Sequence, residues 1–396
     1  MRLKTSAALG LMMAGTLVVA ACSSSSSSTS SSASSATSAA SSAAAGSSSA
    51  GSSVASSAAV GSSSAAGSSS SGPVKGKVGV ILPDTKSSAR WATADAPLLT
   101  AAFKAAGIPA DIQNAQGSAT QMATIADQMI AGGVTVLAIV NLDNASGAAI
   151  EKKAATQGVK TLDYDRLTLG GSASAYISFD NVKVGELQGQ GLATCLGSGN
   201  KNIIFLDGSP TDSNATDFAK GAHNILDKIT SYKKVGEQAV KDWDNQIAAT
   251  DFEQLFTAAG GKVDGVLAAN DGLGNAAISI LKKNNLKIPV TGQDATVQGM
   301  QNILDGYQCM SVYKPVKQEA AALAAAAIAL AKGGSPATTG TITDSQTKKA
   351  VPAVLLTPVA ITKSNISVPI KDGYLKLSDV CTAAYQAKCT AAGVTG

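Results

Sequence analysis

The amino-acid sequence predicts an α/β fold built on parallel, doubly wound sheets, and two patterns carry this prediction. From Lys75 onward, short apolar runs bounded by Gly, Pro or Asn alternate with longer segments that have helical periodicity. The apolar runs are continuous in Val, Ile and Leu, which is typical of strands covered by helices on both faces. An alternation of this kind along the chain indicates parallel sheets.

The predicted elements follow the chain in alternating order. Strands are expected at residues 78–82, 134–140, 203–206, 263–268 and 288–292, and two more are expected to end at Tyr164 and near Val312. Helices are expected at residues 93–106, 119–131, 146–156, 182–196, 217–229, 246–259, 275–283 and 317–332. The last helix is rich in Ala, which predicts close packing against its neighbours.

The first 22 residues have the pattern of an export signal. Arg2 and Lys4 precede an apolar stretch that is too short to span a bilayer comfortably, and small residues follow it. The segment Val19-Ala20-Ala21-Cys22 resembles the processing site of bacterial lipoproteins, in which the Cys is acylated and becomes the first residue of the mature protein. The resemblance implies an extracytoplasmic protein, lipid-anchored to the bacterial cell membrane through Cys22. The alternative is an ordinary secretory signal in which this Cys has no role.

Residues 23–72 are predicted to be a disordered, Ser-rich tether. More than half of them are Ser, and no charged residue occurs between Thr5 and Val74. Such a chain has too few apolar side chains to offset the entropy of ordering it. About 50 residues of this composition span roughly 40 Å on average. The roughly 320 residues that remain are enough for two domains of ordinary size.

Charge and composition exclude several classes of function. The chain has 31 Lys and Arg against 27 Asp and Glu, a net charge of +4, and the charges are too dispersed for a nucleic-acid partner. Its single His, His223, leaves no multi-His metal site and is expected to be a packed bystander. Neither a Walker-type phosphate loop nor a calcium loop is present. We therefore expect no cofactor and no metal.

Four Cys remain for disulfides if Cys22 carries lipid, and an oxidising compartment permits them to pair in three ways. Cys381 and Cys389 close the shortest loop, and their pairing therefore loses the least entropy. The remaining pair would be Cys195 with Cys309. The alternative is a set of free, buried thiols.

Polar residues that a core does not explain follow the predicted strands. They lie in residues 84–91, 164–166, 207–214, 270–272, 292–294 and 312–315. Open α/β sheets bind ligands beyond the carboxyl ends of their strands. Asp, Asn and Arg form paired hydrogen bonds with neighbouring hydroxyls, and an indole can cover the apolar face of a sugar ring. The set indicates a site for a neutral polyol.

The same segments resemble the type I periplasmic sugar-binding proteins of ABC transporters, most closely those that bind D-xylose, glucose and other aldoses. The matching motifs are Ser-Ala-Arg90-Trp91, Tyr164-Asp165-Arg166, Ile177-Ser-Phe-Asp-Asn181 with Val184-Gly185-Glu186, Gly208-Ser-Pro, Asn270-Asp271, Gly292-Gln-Asp294-Ala and Val312-Tyr-Lys314-Pro. They extend in order from about Lys75 to about Ile370. One such motif is weak evidence, but seven in order are specific.

The resemblance implies two Rossmann-like lobes with parallel sheets, joined by a three-crossing hinge and closing on one sugar. The first lobe would hold residues 75–181 and 315–349, and the second would hold residues 182–314 and 350–375. Residues 376–396 would form a Cys-containing tail without a counterpart in the family pattern. Nine side chains would bind the sugar: Arg90, Trp91, Asp165, Arg166, Asn214, Trp243, Asn270, Asp294 and Lys314. Trp91 is expected to stack on the ring and to face ligand instead of core.

The function implied is capture of an aldose, xylose first and glucose next, by a monomeric, membrane-anchored protein that delivers it to an ABC permease and its ATPase. One alternative is a secreted sugar-processing enzyme with Asp165 and Asp294 as paired carboxylates, although nearby cations would hold both ionised and leave no general acid. Others are a chemosensory sugar receptor and a transcriptional regulator, the latter opposed by the export signal. Among single residues, Arg90 could begin a solvated helix, and Trp243 could be an aromatic in the core of a lobe or one anchored at its surface.

Overall fold

The computed structural model describes residues 76–396, and the predicted signal peptide, Cys22 and tether lie outside the described residues. The strands are β1 (Val78–Leu82), β2 (Ala110–Asn114), β3 (Val136–Ile139), β4 (Lys160–Tyr164), β5 (Tyr176–Phe179), β6 (Lys201–Asp207), β7 (Tyr232–Ala239), β8 (Gly265–Ala268), β9 (Ser311–Tyr313), β10 (Gly340–Thr343), β11 (Ala350–Leu356) and β12 (Val359–Ile361). The helices are α1 (Ala96–Ala105), α2 (Ala119–Ala131), α3 (Asn144–Thr156), α4 (Asn181–Leu196), α5 (Ser213–Leu226), α6 (Asn245–Ala258), α7 (Asp271–Lys283), α8 (Val297–Asp305), α9 (Val316–Ala331), α10 (Val368–Lys371), α11 (Leu377–Val380) and α12 (Gln386–Ala391). A π-helical turn (Trp91–Asp95) precedes α1, and a 3₁₀ turn (Lys241–Trp243) precedes α6.

The first lobe is built on a seven-stranded sheet in the order β10-β11-β5-β4-β3-β1-β2. All neighbours in it are parallel except the pair β10 and β11. The continuous apolar runs form buried strands as predicted, since every residue of β1 and β3 is buried. Residues from α1 and α9 cover one face, and residues from α2 and α3 cover the other. The doubly wound α/β class is confirmed.

The second lobe is built on a parallel three-stranded sheet in the order β7-β6-β8. Single parallel bridges at Val290 and at Gln293 extend it toward the antiparallel pair of β9 and β12. The strand predicted at residues 288–292 is therefore wrong as a continuous strand. Pro289 supplies no N–H, and the ladder forms only at Val290.

Close approach of α4 and α5 depends on two glycines. A Cβ atom on Gly185 would lie 1.9 Å from the carbonyl oxygen of Phe218, and one on Gly221 would lie 2.0 Å from that of Val182. Gly185 belongs to a motif that carried the family resemblance, and the structure gives it a packing role. Among the described residues, no helix combines the length and apolar character that crossing a bilayer requires.

The chain passes between the lobes three times, as predicted. Strands β1–β5 lie in the first sheet, β6–β9 in the second lobe, β10 and β11 return to the first sheet, and β12 pairs with β9. The predicted lobe boundary at residue 350 is wrong. Strand β11 pairs with β5, with Val354 opposite Ile177, so the third crossing lies between Leu356 and Val359. The free edge of β5 supplies a parallel partner for β11 that the sequence pattern did not reveal.

The C-terminal tail is a packed part of the second lobe. Val380, Cys381 and Cys389 are buried in one apolar cluster with residues of α8, and Lys388 forms an ion pair with Asp305 at 2.5 Å. Both predicted disulfides are present: Cys381 with Cys389, and Cys195 with Cys309. The tail therefore covers an apolar face of the lobe that would otherwise meet water.

Candidate functional site

A cavity between the two lobes collects all nine side chains that the sequence singled out. The space that no protein atom fills is about 330 Å³, and this volume includes space open to solvent. Its wall consists of Arg90, Trp91, Asp165, Arg166, Asn214, Trp243, Asn270, Asp294 and Lys314 together with Ser87, Ser88, Asp212, Phe218 and Gln293. All nine predicted residues are buried. The cavity is thus partly open to solvent, while the nine side chains on its wall are largely shielded from it.

Strand ends bring these residues together. Arg90 and Trp91 follow β1 by one loop, Asp165 and Arg166 follow β4 directly, and Asn270 follows β8. Asn214 comes from the segment that follows β6, and Trp243 comes from the segment that follows β7. Asp294 follows the bridge at Val290, and Lys314 follows β9. In the first sheet β1 lies between β2 and β3, and in the second sheet β6 lies in the same way between β7 and β8. The direction of the strand order therefore reverses next to β1 and next to β6, and doubly wound sheets bind ligands at such a point.

The π-helical turn explains how Arg90 is held. In a π-helix residues five apart lie near the same face, and Arg90 and Asp95 have this spacing. Arg90 Nε donates to Asp95 Oδ2 at 2.9 Å, and its Nη2 donates to Oδ1 at 2.7 Å. The helix predicted to begin at residue 93 therefore begins earlier and with a wider first turn.

Three carboxyl groups surround the Arg90 guanidinium. Besides Asp95, Asp165 Oδ2 accepts from Nη1 at 3.0 Å and Glu319 accepts from Nη2. Burial alone would lower the pKa of Arg90, but the neighbouring acidic groups, Asp95 first, raise it well above its ordinary value. Burial likewise opposes ionisation of Asp165, yet Lys314, Arg90 and Arg166 hold its pKa below the usual range. Asp165 is ionised, which is the wrong state for a general acid.

Polar contacts tie the lobes across the cavity. Arg166 Nε lies 3.1 Å from Asp212 Oδ2, and Asn214 Nδ2 donates to the backbone carbonyl of Asp165 at 2.8 Å. Asn181 Nδ2 donates to the Tyr176 hydroxyl oxygen at 3.0 Å, and the Tyr176 hydroxyl donates to the backbone carbonyl of Asp165 at 2.9 Å. Asn181 does not line the cavity, which agrees with leaving it out of the predicted site. These contacts join the two lobes beside the cavity.

Asp212 is a cavity residue that sequence reasoning missed. It lies in the segment 207–214, which the strand-end pattern singled out, but only Asn214 was chosen from that segment. Its side chain caps α5 by accepting from Asn214 N at 3.0 Å, and it also accepts from Trp243 Nε1 at 3.1 Å. A capping Asp before a helix is ordinary, and only the tertiary structure shows its second contact.

Trp91 faces both ligand space and core, so the expectation that it faces ligand instead of core is wrong. The side chain is 2% exposed and belongs to the apolar cluster that includes Leu99 and Phe103. Its Nε1 donates to Ser87 Oγ at 3.1 Å, and the Arg90 guanidinium lies 4.5 Å from the ring centroid. An indole is large enough to present one edge to the cavity and pack the rest.

Three of the nine residues have backbones in the left-handed region. The φ angles are 60° at Asp165, 56° at Trp243 and 91° at Asp294. Such conformations cost about 1–3 kcal/mol each in non-glycine residues and cluster at functional sites. Trp243 also packs against Phe218 in the core of the second lobe. It is therefore both a core aromatic and a residue of the cavity wall. Backbone strain therefore marks this cavity independently of the sequence motifs.

The cavity is chemically suited to hydrogen bonding with hydroxyl groups. Carboxylates accept, Arg and Lys donate, Asn does both, and two indoles supply apolar wall. Within residues 76–396, no three His, Cys, Asp or Glu side chains are placed to share a metal ion. A neutral, polyhydroxylated small molecule is the ligand class that this wall fits.

Comparison with known proteins places the chain among binding proteins. Residues 78–335 match the family model described as periplasmic binding protein domain. The D-xylose-binding periplasmic protein of Escherichia coli (strain K12) is 35% identical over 311 residues, which is 77% of this chain and 92% of that protein. The multiple sugar-binding periplasmic receptor of Rhizobium radiobacter is 34% identical over 76% of this chain and 91% of its own length.

Solved structures agree with the sequence relatives. The carbohydrate transporter solute-binding protein of Chloroflexus aurantiacus, in complex with D-glucose, superposes with a TM-score of 0.71 at 29% identity and covers 76% of this chain and 97% of that one. An ABC transporter solute-binding protein of Clostridium phytofermentans with bound β-D-glucose also has a TM-score of 0.71, at 27% identity over 77% of this chain and 99% of that one. These relatives are binding proteins, and the chain is a binding protein and not an enzyme.

Proposed function

Because the chain belongs to the periplasmic binding protein family, we propose that it captures one aldose between its lobes, D-xylose first and D-glucose next. The sugar relatives support the order of these two candidates. The relative named for D-xylose is 35% identical, and the neighbour that holds D-glucose is 29% identical. The two sugars differ by one hydroxymethyl group, which the buried side chains of the cavity wall are able to distinguish.

The composition of the cavity wall carries the proposal. Each wall cation faces a carboxylate: Arg90 with Asp165 at 3.0 Å, Arg166 with Asp212 at 3.1 Å, and Lys314 with Asp294 at 3.4 Å. A buried ion is costly unless it is paired, and a neutral sugar supplies no charge to pair it. Because the protein already pairs its own ions, the ligand it fits is neutral and hydroxyl-rich.

A melting-temperature panel of sugars tests this function. A ligand that binds only the folded state stabilises it by about 2.7 kcal/mol at a hundredfold excess over its dissociation constant. We expect D-xylose or D-glucose to raise the melting temperature most, and D-glucuronate, which is charged, to leave it unchanged. A panel in which no neutral sugar acts, or in which the acid acts most, contradicts the proposal.

Delivery and anchoring complete the proposed function. We infer a monomer that is tethered outside the cytoplasm by a lipid on Cys22 and that passes its sugar to an ABC permease and ATPase on separate chains. The variant Cys22→Ser is expected to leave the membrane fraction or to accumulate as uncleaved precursor, because the acyl chain is its only proposed anchor. Membrane association that still requires detergent after this change argues against lipidation.

Gly208 offers a test of the cavity wall at a residue that contributes no side chain. A Cβ atom there would lie 2.1 Å from Cη2 of Trp243, and a rigid indole must move to relieve this contact. Gly208→Ala should therefore displace the wall and weaken sugar binding, and it should lower the free energy of unfolding by about 1–3 kcal/mol, the usual range for overpacking. Titration calorimetry measures the change. Gly340→Ala is the matched control, since a Cβ atom there meets nothing within 4 Å, and equal affinity in both variants excludes Trp243 from the site.

A further inference from the structure

Glu319 is a buried carboxyl group next to the cavity that the proposed function does not yet use. It lies in the first turn of α9, five residues after Lys314 and just beyond the second crossing between the lobes. Its side chain is 0% exposed, and it is absent from the cavity wall. Its partner is Arg90, whose Nη2 donates to Glu319 Oε2.

The hydrogen-bond count of Arg90 shows what this contact achieves. A guanidinium has five N–H groups. Two are donated to Asp95, one to Glu319 and one to Asp165. One hydrogen of Nη1 remains, and Arg90 lines the cavity. Asp95 and Glu319 together fix the plane of the guanidinium, so that this last donor is available to a ligand hydroxyl.

The charges around Arg90 do not balance if every carboxyl group is ionised. Asp95, Asp165 and Glu319 face one guanidinium. The two other cations that act on Asp165 each have a further carboxylate partner: Lys314 is paired with Asp294, and Arg166 is paired with Asp212. Tyr164 donates its hydroxyl hydrogen to Asp95 and adds no charge. Glu319 Oε1 is buried and has no hydrogen-bond partner among residues 76–396. An ionised carboxylate with one oxygen in that position would cost more free energy than a neutral carboxyl group, because a buried charge adds to the cost of an unpartnered polar atom.

We propose that Glu319 is a positioning residue for sugar binding, and that it holds Arg90 as a neutral carboxylic acid. The positioning role rests on the proposed function, while the neutral state does not. Burial raises the pKa of Glu319 to about 8, and Arg90 only partly offsets this effect. Glu319→Gln is then the closest mimic of the native group, because an amide oxygen also accepts from Arg90 and carries no charge.

Melts without sugar test the neutral state. A carboxyl group with a raised folded-state pKa stabilises the fold fully below its unfolded-state pKa of about 4.3, and this contribution is lost as pH rises toward about 8. The melting temperature of the wild type should therefore fall relative to that of Glu319→Gln between pH 5 and 8. A difference between the two proteins that stays constant over this range shows that Glu319 is ionised in the fold and overturns this claim.

Titration calorimetry with D-xylose and D-glucose at pH 7 tests the positioning role. Glu319→Ala frees one side of Arg90 and should weaken binding on the order of tenfold or more, whereas Glu319→Gln should remain within about threefold of the wild type. Glu253→Ala, on the exposed face of α6, is the matched control and should bind as the wild type. Equal loss in the Gln and Ala variants, or no loss in either, overturns the role. If the wild type itself binds neither sugar, the proposed function fails, and the melts still decide the state of Glu319.

Discussion

Asp294→Ala is expected to weaken sugar binding by about 2–5 kcal/mol, the range for truncating one partner of a buried charged pair. Asp294 Oδ1 lies 3.4 Å from Lys314 Nζ, and both side chains are less than one-tenth exposed. Removing the carboxylate leaves the Lys314 ammonium in the closed cavity without its ion-pair partner. The loss therefore exceeds that of a single hydrogen bond to the sugar. Titration calorimetry with D-xylose and D-glucose measures it.

Asp294→Asn distinguishes the effect of losing the charge from the effect of straining the backbone. The φ of Asp294 is 91°, and Asn tolerates such conformations better than Ala does. We expect the Asn variant to melt close to the wild type in the absence of sugar and yet to bind weakly, because it keeps the shape and loses the charge. Wild-type affinity in both variants places the binding site elsewhere.

Trp91→Ala is expected to affect both stability and binding. The indole is buried in the core of the first lobe, and replacing a buried Trp by Ala lowers the free energy of unfolding by about 3–5 kcal/mol. It also lines the cavity, and loss of a buried aromatic contact weakens binding by about 2 kcal/mol or more. Thermal melts without sugar measure the first effect, and calorimetry measures the second.

Trp91→Phe keeps the test informative if the Ala variant does not fold. Phe preserves an aromatic wall but not the Nε1 hydrogen bond to Ser87 at 3.1 Å. We expect it to fold, to melt at a lower temperature than the wild type and to bind the sugar with a smaller loss than Trp91→Ala. A Phe variant that loses stability but binds as the wild type shows that Trp91 serves the core alone.

Strands that form continuous apolar runs could be predicted from sequence, whereas the edge strands β2 and β7 could not, and neither could β5, although all its residues are buried. The runs that became β1, β3 and β8 are continuous in apolar residues because helices cover them on both sides. Strands β2 and β7 lie at sheet edges, carry the polar sequences Ala-Asp-Ile-Gln-Asn and Tyr-Lys-Lys-Val-Gly-Glu-Gln-Ala, and are partly exposed. Their strand conformation follows from the neighbour that they pair with, which a local pattern does not contain.

The cavity residues could be predicted because they follow strand ends and lie in motifs, but their partners could not. Arg90 was expected to bind the sugar, and the structure shows that four of its five guanidinium hydrogens are donated to the protein. Asp95 sits one π-helical turn away, and Glu319 lies 229 residues away in sequence. Neither residue belongs to a strand-end segment. Contacts of this kind depend on tertiary packing, and no local signal in the sequence marks them.

Tryptophan fluorescence tests the central claim most directly, because the chain has 2 Trp and both line the cavity. Titration with D-xylose or D-glucose is predicted to change the emission saturably, with one sugar bound per chain. Replacing Trp91 or Trp243 by Phe should remove part of that change in each case. A sugar that raises the melting temperature without altering the emission would bind outside the cavity, and this result would contradict the account.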